Sequence, residues 1–251
     1  RALRPMRGAD ERLGVTAVLI VRPEPGAGET AARAAALGLA AVTAPIFTIR
    51  PLPWEAPHPN YAQAVMLTSA NAARHAGPGL AAMTALPCYA VGERTAIEAR
   101  NAGFADVKVG DGDGEQLMAM MARDGVTSAF HLCGREHKGL ERRGLLLTRR
   151  IVYAADAVDR LPDAAAAALA AGALVLLHSP RAAREFALLA DDAGISRAAI
   201  GIAAISEAAA AAAGAGWRQR AVSRAPSDEA LLELADQLCK TVPKRGTGRA
   251  E

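Results

Sequence analysis

The 251-residue chain is poor in cysteine and aromatic side chains and contains no long apolar run. Cys88, Cys133 and Cys239 are odd in number and widely separated, so they make neither a disulfide framework nor a zinc site. That usage points to the cytoplasm. No apolar stretch has the length to span a bilayer, and the basic opening RALRPMRGADERLG has no apolar segment of the signal-peptide kind. No membrane partner is therefore expected. Aromatics are 4% of the residues and are not interleaved with arginine, while the net charge of +3 is mild and much of the excess sits in the two tails. A nucleic-acid surface needs a basic stripe with stacking rings, so that class of partner is excluded. The cations outside the tails are almost all Arg, whose planar fork suits carboxylates or phosphates.

Chemical motifs are thin as well. His58, His75, His131, His137 and His178 show no ligand spacing, and no metal is expected. Ser69 and Ser179 lack the glycines of a nucleophile elbow. The run from Gly26 to Ala31 matches the dinucleotide pattern G-x-G-x-x-A after a strand. However, Arg-Pro-Glu-Pro intervenes before the glycines, and Ala40–Pro53 holds no acid for a ribose. Asp111–Glu115 resembles the start of a calcium loop, yet Gln116 and Ala122 stand where that loop needs Gly and Glu, so a turn and a helix cap are expected.

What the chain does have is an internal repeat. Val65–Arg74 (VMLTSANAAR) returns as Val175–Arg184 (VLLHSPRAAR), Ala90–Phe104 returns as Ala204–Trp217, and Asp113–Met121 returns as Ser227–Ala235. The three matches keep their order at a nearly constant offset, which marks the duplication of a β/α unit. A looser echo links Val18–Ala36 with Ala129–Gly144. Short apolar strands alternate with Ala-rich helices throughout, so the expected fold is α/β, with parallel sheets flanked by helices. The first strand is expected at Val15–Arg22, a helix at Thr30–Leu37, a second strand within Leu39–Phe47, and a polar helical stretch at Glu136–Arg143.

The proline-rich segment TIRPLPWEAPHPNY and the extended RRIVYAADAV are expected crossings between two domains. Residues 15–47 with 159–240 would form one discontinuous α/β domain, and 60–150 an inserted second one. Residues 48–59 and 151–158 would be a two-stranded linker with a cleft beside it, and 1–14 and 241–251 flexible tails.

Five strand-end turns carry small or polar residues where a parallel strand hands over to a helix. These are Thr68-Ser69-Ala70-Asn71, Gly92-Glu93, Cys133-Gly134-Arg135, His178-Ser179-Pro180 and Ser206-Glu207. Ligands of open α/β sheets bind at such ends, and the N–H groups of helix N-termini favour anions. Tyr153 lies in the expected hinge, where packing and proton donation both fit it. A two-domain binding protein for anionic small molecules, without catalysis, is an alternative at this level.

Together VLIVRP, LTSANAAR, AVGERTAIEARNAGF, RRIVYAADAV, LLHSPRAAREF, AISEAAAAAAGAGW and APSDEALLELA run from about Val15 to Leu238, and in this order they resemble the uroporphyrinogen-III synthase family. The resemblance implies a cytoplasmic monomer of two α/β domains joined by a two-stranded ladder. It also implies a cofactor-free conversion of hydroxymethylbilane, a linear tetrapyrrole with eight carboxylates, into uroporphyrinogen III with inversion of ring D. Contact with the preceding enzyme of that pathway would be transient. By motif, Tyr153 matches the family's hinge tyrosine and would be the proton donor. Thr68, Ser69, Ala70, Asn71, Gly92, Ser179 and Pro180 match turns that face substrate. Arg22 matches the arginine ending the first strand, and Arg135 holds the corresponding place in the looser repeat. Ser206 and Glu207 fall where the family often has Gly-Pro-Thr or Gly-x-Thr, a departure that weakens a side-chain contact there.

Overall fold

The computed structural model describes residues 17–137 and 139–240. The tails expected at 1–14 and 241–251 lie outside the described residues, as do Val15 and Thr16 of the expected first strand. In chain order the elements are β1 (Val18–Ile20), α1 (Gly26–Ala36), β2 (Ala41–Thr43), β3 (Phe47–Pro51), β4 (Ala64–Leu67), α2 (Ala70–His75), β5 (Cys88–Ala90) and α3 (Glu93–Asn101). There follow β6 (Val107–Val109), α4 (Gly114–Arg123), β7 (Ser128–Gly134), β8 (Leu146–Ala157) and α5 (Asp163–Ala170). The chain continues through β9 (Leu174–Leu177), α6 (Pro180–Asp192), β10 (Gly201–Ala204), α7 (Glu207–Ala213), β11 (Gln219–Val222) and α8 (Asp228–Lys240).

The chain divides into two compact units. The first joins the residues up to Phe47 to those from Ala157 onward, and the second is Thr48–Asp156. The first unit holds a sheet of order β11-β10-β9-β1-β2 with every pairing parallel. The second holds β3-β8-β7-β4-β5-β6, parallel from β8 to β6. Set side by side, β11-β10-β9-β1 and β6-β5-β4-β7 follow one plan, which is the duplication expressed as topology.

The strongest strands are those whose residues are apolar without alternation. Every residue of β1, β4, β5, β9 and β10 is buried, because helices cover both faces of a parallel sheet. Along β4 the faces divide by parity. Val65 and Leu67 pack with Phe130, Leu132 and the alanines of α2, whereas Ala64 and Met66 pack with Leu117, Met118 and Met121 of α4. In the first unit Val18, Ile20, Leu174 and Leu176 meet Ala27 and Ala34 of α1 and Leu231, Leu232 and Ala235 of α8. Truncating a fully buried leucine such as Leu67 would cost about 2–5 kcal/mol.

Several expectations shift. The first helix starts at Gly26 rather than Thr30, because Glu24 accepts a hydrogen bond from the Gly28 N–H and satisfies its first turn. That contact also fills the place where the dinucleotide reading would put a pyrophosphate. Where a helix is expected at 136–143, none of the described residues is helical: the chain turns back through a bridge between Arg142 and Leu145, and Leu140 is buried, its side chain lying where a Cβ on Gly114 would sit. Residues 47–51 and 146–157 are strands of the six-stranded sheet. The bonds from Leu52 N to Val152 O and from Val158 N to Ile46 O show that these two segments run in opposite directions. Both cross the boundary between the units.

Candidate active site

In the second unit four parallel strands bring their carboxyl ends to one place. Beyond β4 come Thr68 and then Ser69, in extended backbone at the N-cap of α2, where its Oγ accepts from the Asn71 N–H at 3.2 Å. The Asn71 side chain is engaged by Arg74, which also pairs with Glu98 at 2.7 Å. Ala70 and Asn71 thus form the first turn of α2. Gly92 caps α3 in extended backbone, with a Cβ there meeting Gly112 at 4.0 Å.

The β7–β8 pairing slips at its end: Cys133 faces Ile151 but Gly134 faces Tyr153. The Arg135 N–H donates to the Tyr153 carbonyl at 2.9 Å. A Cβ on Gly134 would lie 2.6 Å from Tyr153 Cζ and 2.9 Å from its Oη, so the phenol ring rests directly on the glycine. Only glycine allows the ring that position. Thr68, Ser69, Gly112, Gly134, His137 and Tyr153 are among the residues lining a cavity of about 320 Å³, with Asp113, Glu115 and Glu136 on its walls.

Behind Thr68 stands His131, fully buried on β7, its Nε2 2.9 Å from Thr68 Oγ1 and its Nδ1 without a hydrogen-bond partner among the described residues. Burial, reinforced by His137 and Arg149, pushes the His131 imidazole down to about 4, so it is neutral near pH 7. His137 stands edge-on to it at 6.3 Å and hydrogen-bonds the Gly134 and Arg135 carbonyls through Nδ1. Arg135 pairs with Asp156 at 3.0 Å, and Asp156 also takes Arg50. The hydrogen bond from Arg50 is the main cause that holds the Asp156 carboxyl below its ordinary range.

The first unit carries a second polar centre. Ser179 caps α6 by accepting from the Ala182 N–H, with Pro180 at the first helical position, and Ser206 caps α7 by accepting from the Ala209 N–H. Glu207 lies exposed in the first turn of α7. Asp228, opening α8, accepts from Thr30 at 2.9 Å, Arg33 at 2.7 Å and His178 Nε2 at 2.9 Å. Arg22 lies 3.6 Å from the same carboxylate and donates to Thr30. Burial raises the Asp228 carboxyl, but the hydrogen bonds from His178, Thr30 and Arg33 outweigh it and hold the group well below the usual carboxylate range. The arginine expected to meet substrate is thus committed to a partner of its own chain.

Thr68, Ser69 and Tyr153, singled out in the sequence, share one cavity. Ala70, Asn71 and Gly92 form helix starts beside it, and Arg135 turns to Asp156. Arg22, Ser179, Pro180, Ser206 and Glu207 belong to the other unit. His131, His137 and Asp228 were not singled out, because their partners are remote in sequence and no local spacing marks them. Among the described residues no cluster of His, Cys, Asp or Glu could hold a metal ion, and no helix is long and apolar enough to cross a membrane.

A duplicated α/β chain whose inserted unit gathers turns and a cavity at the carboxyl ends of its strands falls in the class of open parallel-sheet folds, which bind ligands at those ends. The family model for uroporphyrinogen-III synthase HemD matches residues 28–233, and the chain belongs to that family. Among solved structures, uroporphyrinogen-III synthetase from Helicobacter pylori 26695 superposes with a TM-score of 0.60 at 19% identity, covering 88% of this chain and 99% of that one, which shows a shared fold. Wild-type uroporphyrinogen III synthase from the extremely thermophilic bacterium Thermus thermophilus is similar at 18% identity and a TM-score of 0.41, over 90% of this chain and all of that one. Compared by sequence with curated proteins, the chain finds no significant match.

Proposed function

We propose that the protein is a uroporphyrinogen-III synthase of tetrapyrrole biosynthesis. It cyclises hydroxymethylbilane to uroporphyrinogen III with loss of water and inversion of ring D. Family membership supports the reaction. The observation that carries the site is the Tyr153 ring pressed onto Gly134 beside Thr68 and Ser69. In this reading the Tyr153 hydroxyl gives its proton to the departing hydroxyl, which leaves as water, and the bilane becomes an azafulvenium cation. Ring D attacks through its substituted carbon to form the spiro intermediate. The bond from that carbon to the bridge carbon of ring C then breaks, the free α-carbon on the other side of the ring D nitrogen closes onto the same bridge carbon, and the proton lost on rearomatisation returns to the phenolate.

The acidic wall of the cavity, Asp113, Glu115 and Glu136, suits pyrrole N–H groups and the developing cation better than it suits carboxylates. Carboxylates are assigned to the helix-start turns: Ser69, Ala70, Asn71 and Gly92 in the second unit, Ser179, Pro180, Ser206 and Glu207 in the first. Arg22 and Arg135 serve mainly through the backbone they anchor, given their internal ion pairs. Holding the flexible bilane in the spiro-competent conformation supplies much of the advantage over spontaneous ring closure. The protein acts as a cytoplasmic monomer, without cofactor, on substrate released nearby by the preceding enzyme.

The test is to add the purified protein to freshly made hydroxymethylbilane, oxidise the product and separate the porphyrin isomers. Type III product formed faster than spontaneous type I is expected, and type I alone at the background rate would refute the proposal. Tyr153→Phe should lower kcat more than it raises KM; unchanged turnover would remove the acid role.

A further inference from the structure

Thr68 lines the cavity that holds Tyr153, and among the described residues the only side-chain partner of its hydroxyl is the Nε2 of a histidine with no exposure to solvent. An imidazole that is neutral carries one proton, and the other nitrogen of His131, Nδ1, has no partner among those residues. A proton on Nδ1 would leave a buried N–H donor unpaired, the costlier of the two arrangements, since orphaned N–H groups are rarer than orphaned acceptors. With the proton on Nε2, the imidazole donates to Thr68 Oγ1 and the hydroxyl keeps its own hydrogen for another acceptor.

We infer that His131 is a positioning residue: its Nε2–H fixes the Thr68 hydroxyl as a hydrogen-bond donor to a substrate oxygen in the cavity shared with Tyr153. The inference rests on the proposed cyclisation for its catalytic meaning, while the hydrogen-bond direction stands on the geometry alone. Without His131, the threonine hydroxyl can spend its hydrogen on a neighbouring protein acceptor. With the imidazole in place, that hydroxyl is held ready for the substrate. The ligand group recognised is an oxygen acceptor, either the departing hydroxyl or a side-chain carboxylate.

Two measurements test this. In the uniformly 15N-labelled protein, a long-range proton–nitrogen spectrum near neutral pH, with His131 assigned by its loss in His131→Met, should show the proton on Nε2. A proton on Nδ1 overturns the inference whatever the reaction proves to be. In the isomer assay, Thr68→Val and His131→Met should each lower kcat/KM roughly tenfold, and the double variant should be no worse than the poorer single. His131→Gln, which can present an N–H at the place of Nε2, should stay within about threefold of the parent. Losses that multiply in the double variant, or a Gln variant as poor as Met, overturn it. If the parent makes no type III product, the cyclisation reading fails. The same variants are then compared by their dissociation constants for the octacarboxylate uroporphyrin III, where equal affinity in parent and Thr68→Val overturns the donor role.

Discussion

Lowering the pH from about 7 to about 5 should remove about 2 kcal/mol of folding free energy from the second unit through His131 alone. Burial holds this imidazole at about 4 in the folded protein, against 6.5 for the exposed group. Between those values the unfolded chain takes up a proton that the folded one refuses, so stability falls as the pH falls. The slope approaches about 1.4 kcal/mol per pH unit, and the loss levels off below about pH 4. Asp124 and Asp156, the carboxylates of this unit whose folded state favours the anion, lose their contribution only as the pH drops below 3.8. His75, also lowered by burial and by Arg74, acts in the same direction, so the comparison must be with a variant rather than with theory.

Trp54 packs against the core of the second unit and donates its indole N–H to the Ala76 carbonyl at 2.7 Å, whereas Trp217 stacks on Phe186 in the first. Urea titrations followed by fluorescence in a Trp217→Phe background therefore report the unit that contains His131. The midpoint should fall by about 1 M from pH 7 to pH 5, and most of that fall should vanish in His131→Met. Parallel pH dependences in the two proteins would refute the reasoning.

Three further outcomes follow from the same geometry. Gly134→Ala should displace the Tyr153 ring and lower turnover at least as far as Tyr153→Phe does, since the added carbon would sit 2.6 Å from Cζ; full activity in the isomer assay would show that the ring position is unimportant. Asp228→Asn should destabilise the first unit by about 2–4 kcal/mol, because it leaves Arg33, Arg22 and His178 without their shared anion. Trp217 fluorescence in urea, with Trp54→Phe to silence the other reporter, measures that loss. Of the three thiols, Cys239 should react first with a thiol reagent in the native protein, since burial pushes Cys88 up to about 12 and Cys133 up to about 11; equal rates by mass spectrometry would contradict this.

The fold was legible where burial acts on both faces of a strand. VMLTS and VLLHS each end an uninterrupted apolar run at a serine that caps the next helix, and β4–α2 and β9–α6 form there. The sequence of 136–143 misled because its charge pattern suits a helix, while the burial of Leu140 and its carbonyl bond to Arg149 lead into the turn between Arg142 and Leu145. β3 was expected as part of a two-stranded linker because prolines crowd the segment it opens, yet it is an edge strand of the six-stranded sheet, where the N–H missing at Pro51 costs little. At the site, Thr68 and Ser69 were marked by their strand-end turn and Tyr153 by the family's hinge pattern, and the His131–Thr68 bond by neither. That bond joins the turn after β4 to β7, as the Asp228 cluster joins residues from Arg22 onward, and no window along the chain contains either.

The pairing of β1 with β9 has a consequence for synthesis. Val18, Leu19 and Ile20 have their partners at Leu174, Val175 and Leu176, so β1, an interior strand of the first sheet, emerges from the ribosome long before the central strand β9 that pairs with it. Thr48–Asp156 is contiguous and can condense as soon as it is out, while β1, α1 and β2 wait as an apolar stub. Chains stopped short of β9 would present that stub to chaperones and proteases attached to an already folded insert. The order of assembly is thus written into the strand order: the inserted unit first, and the unit that encloses it only once β9, β10 and β11 have followed.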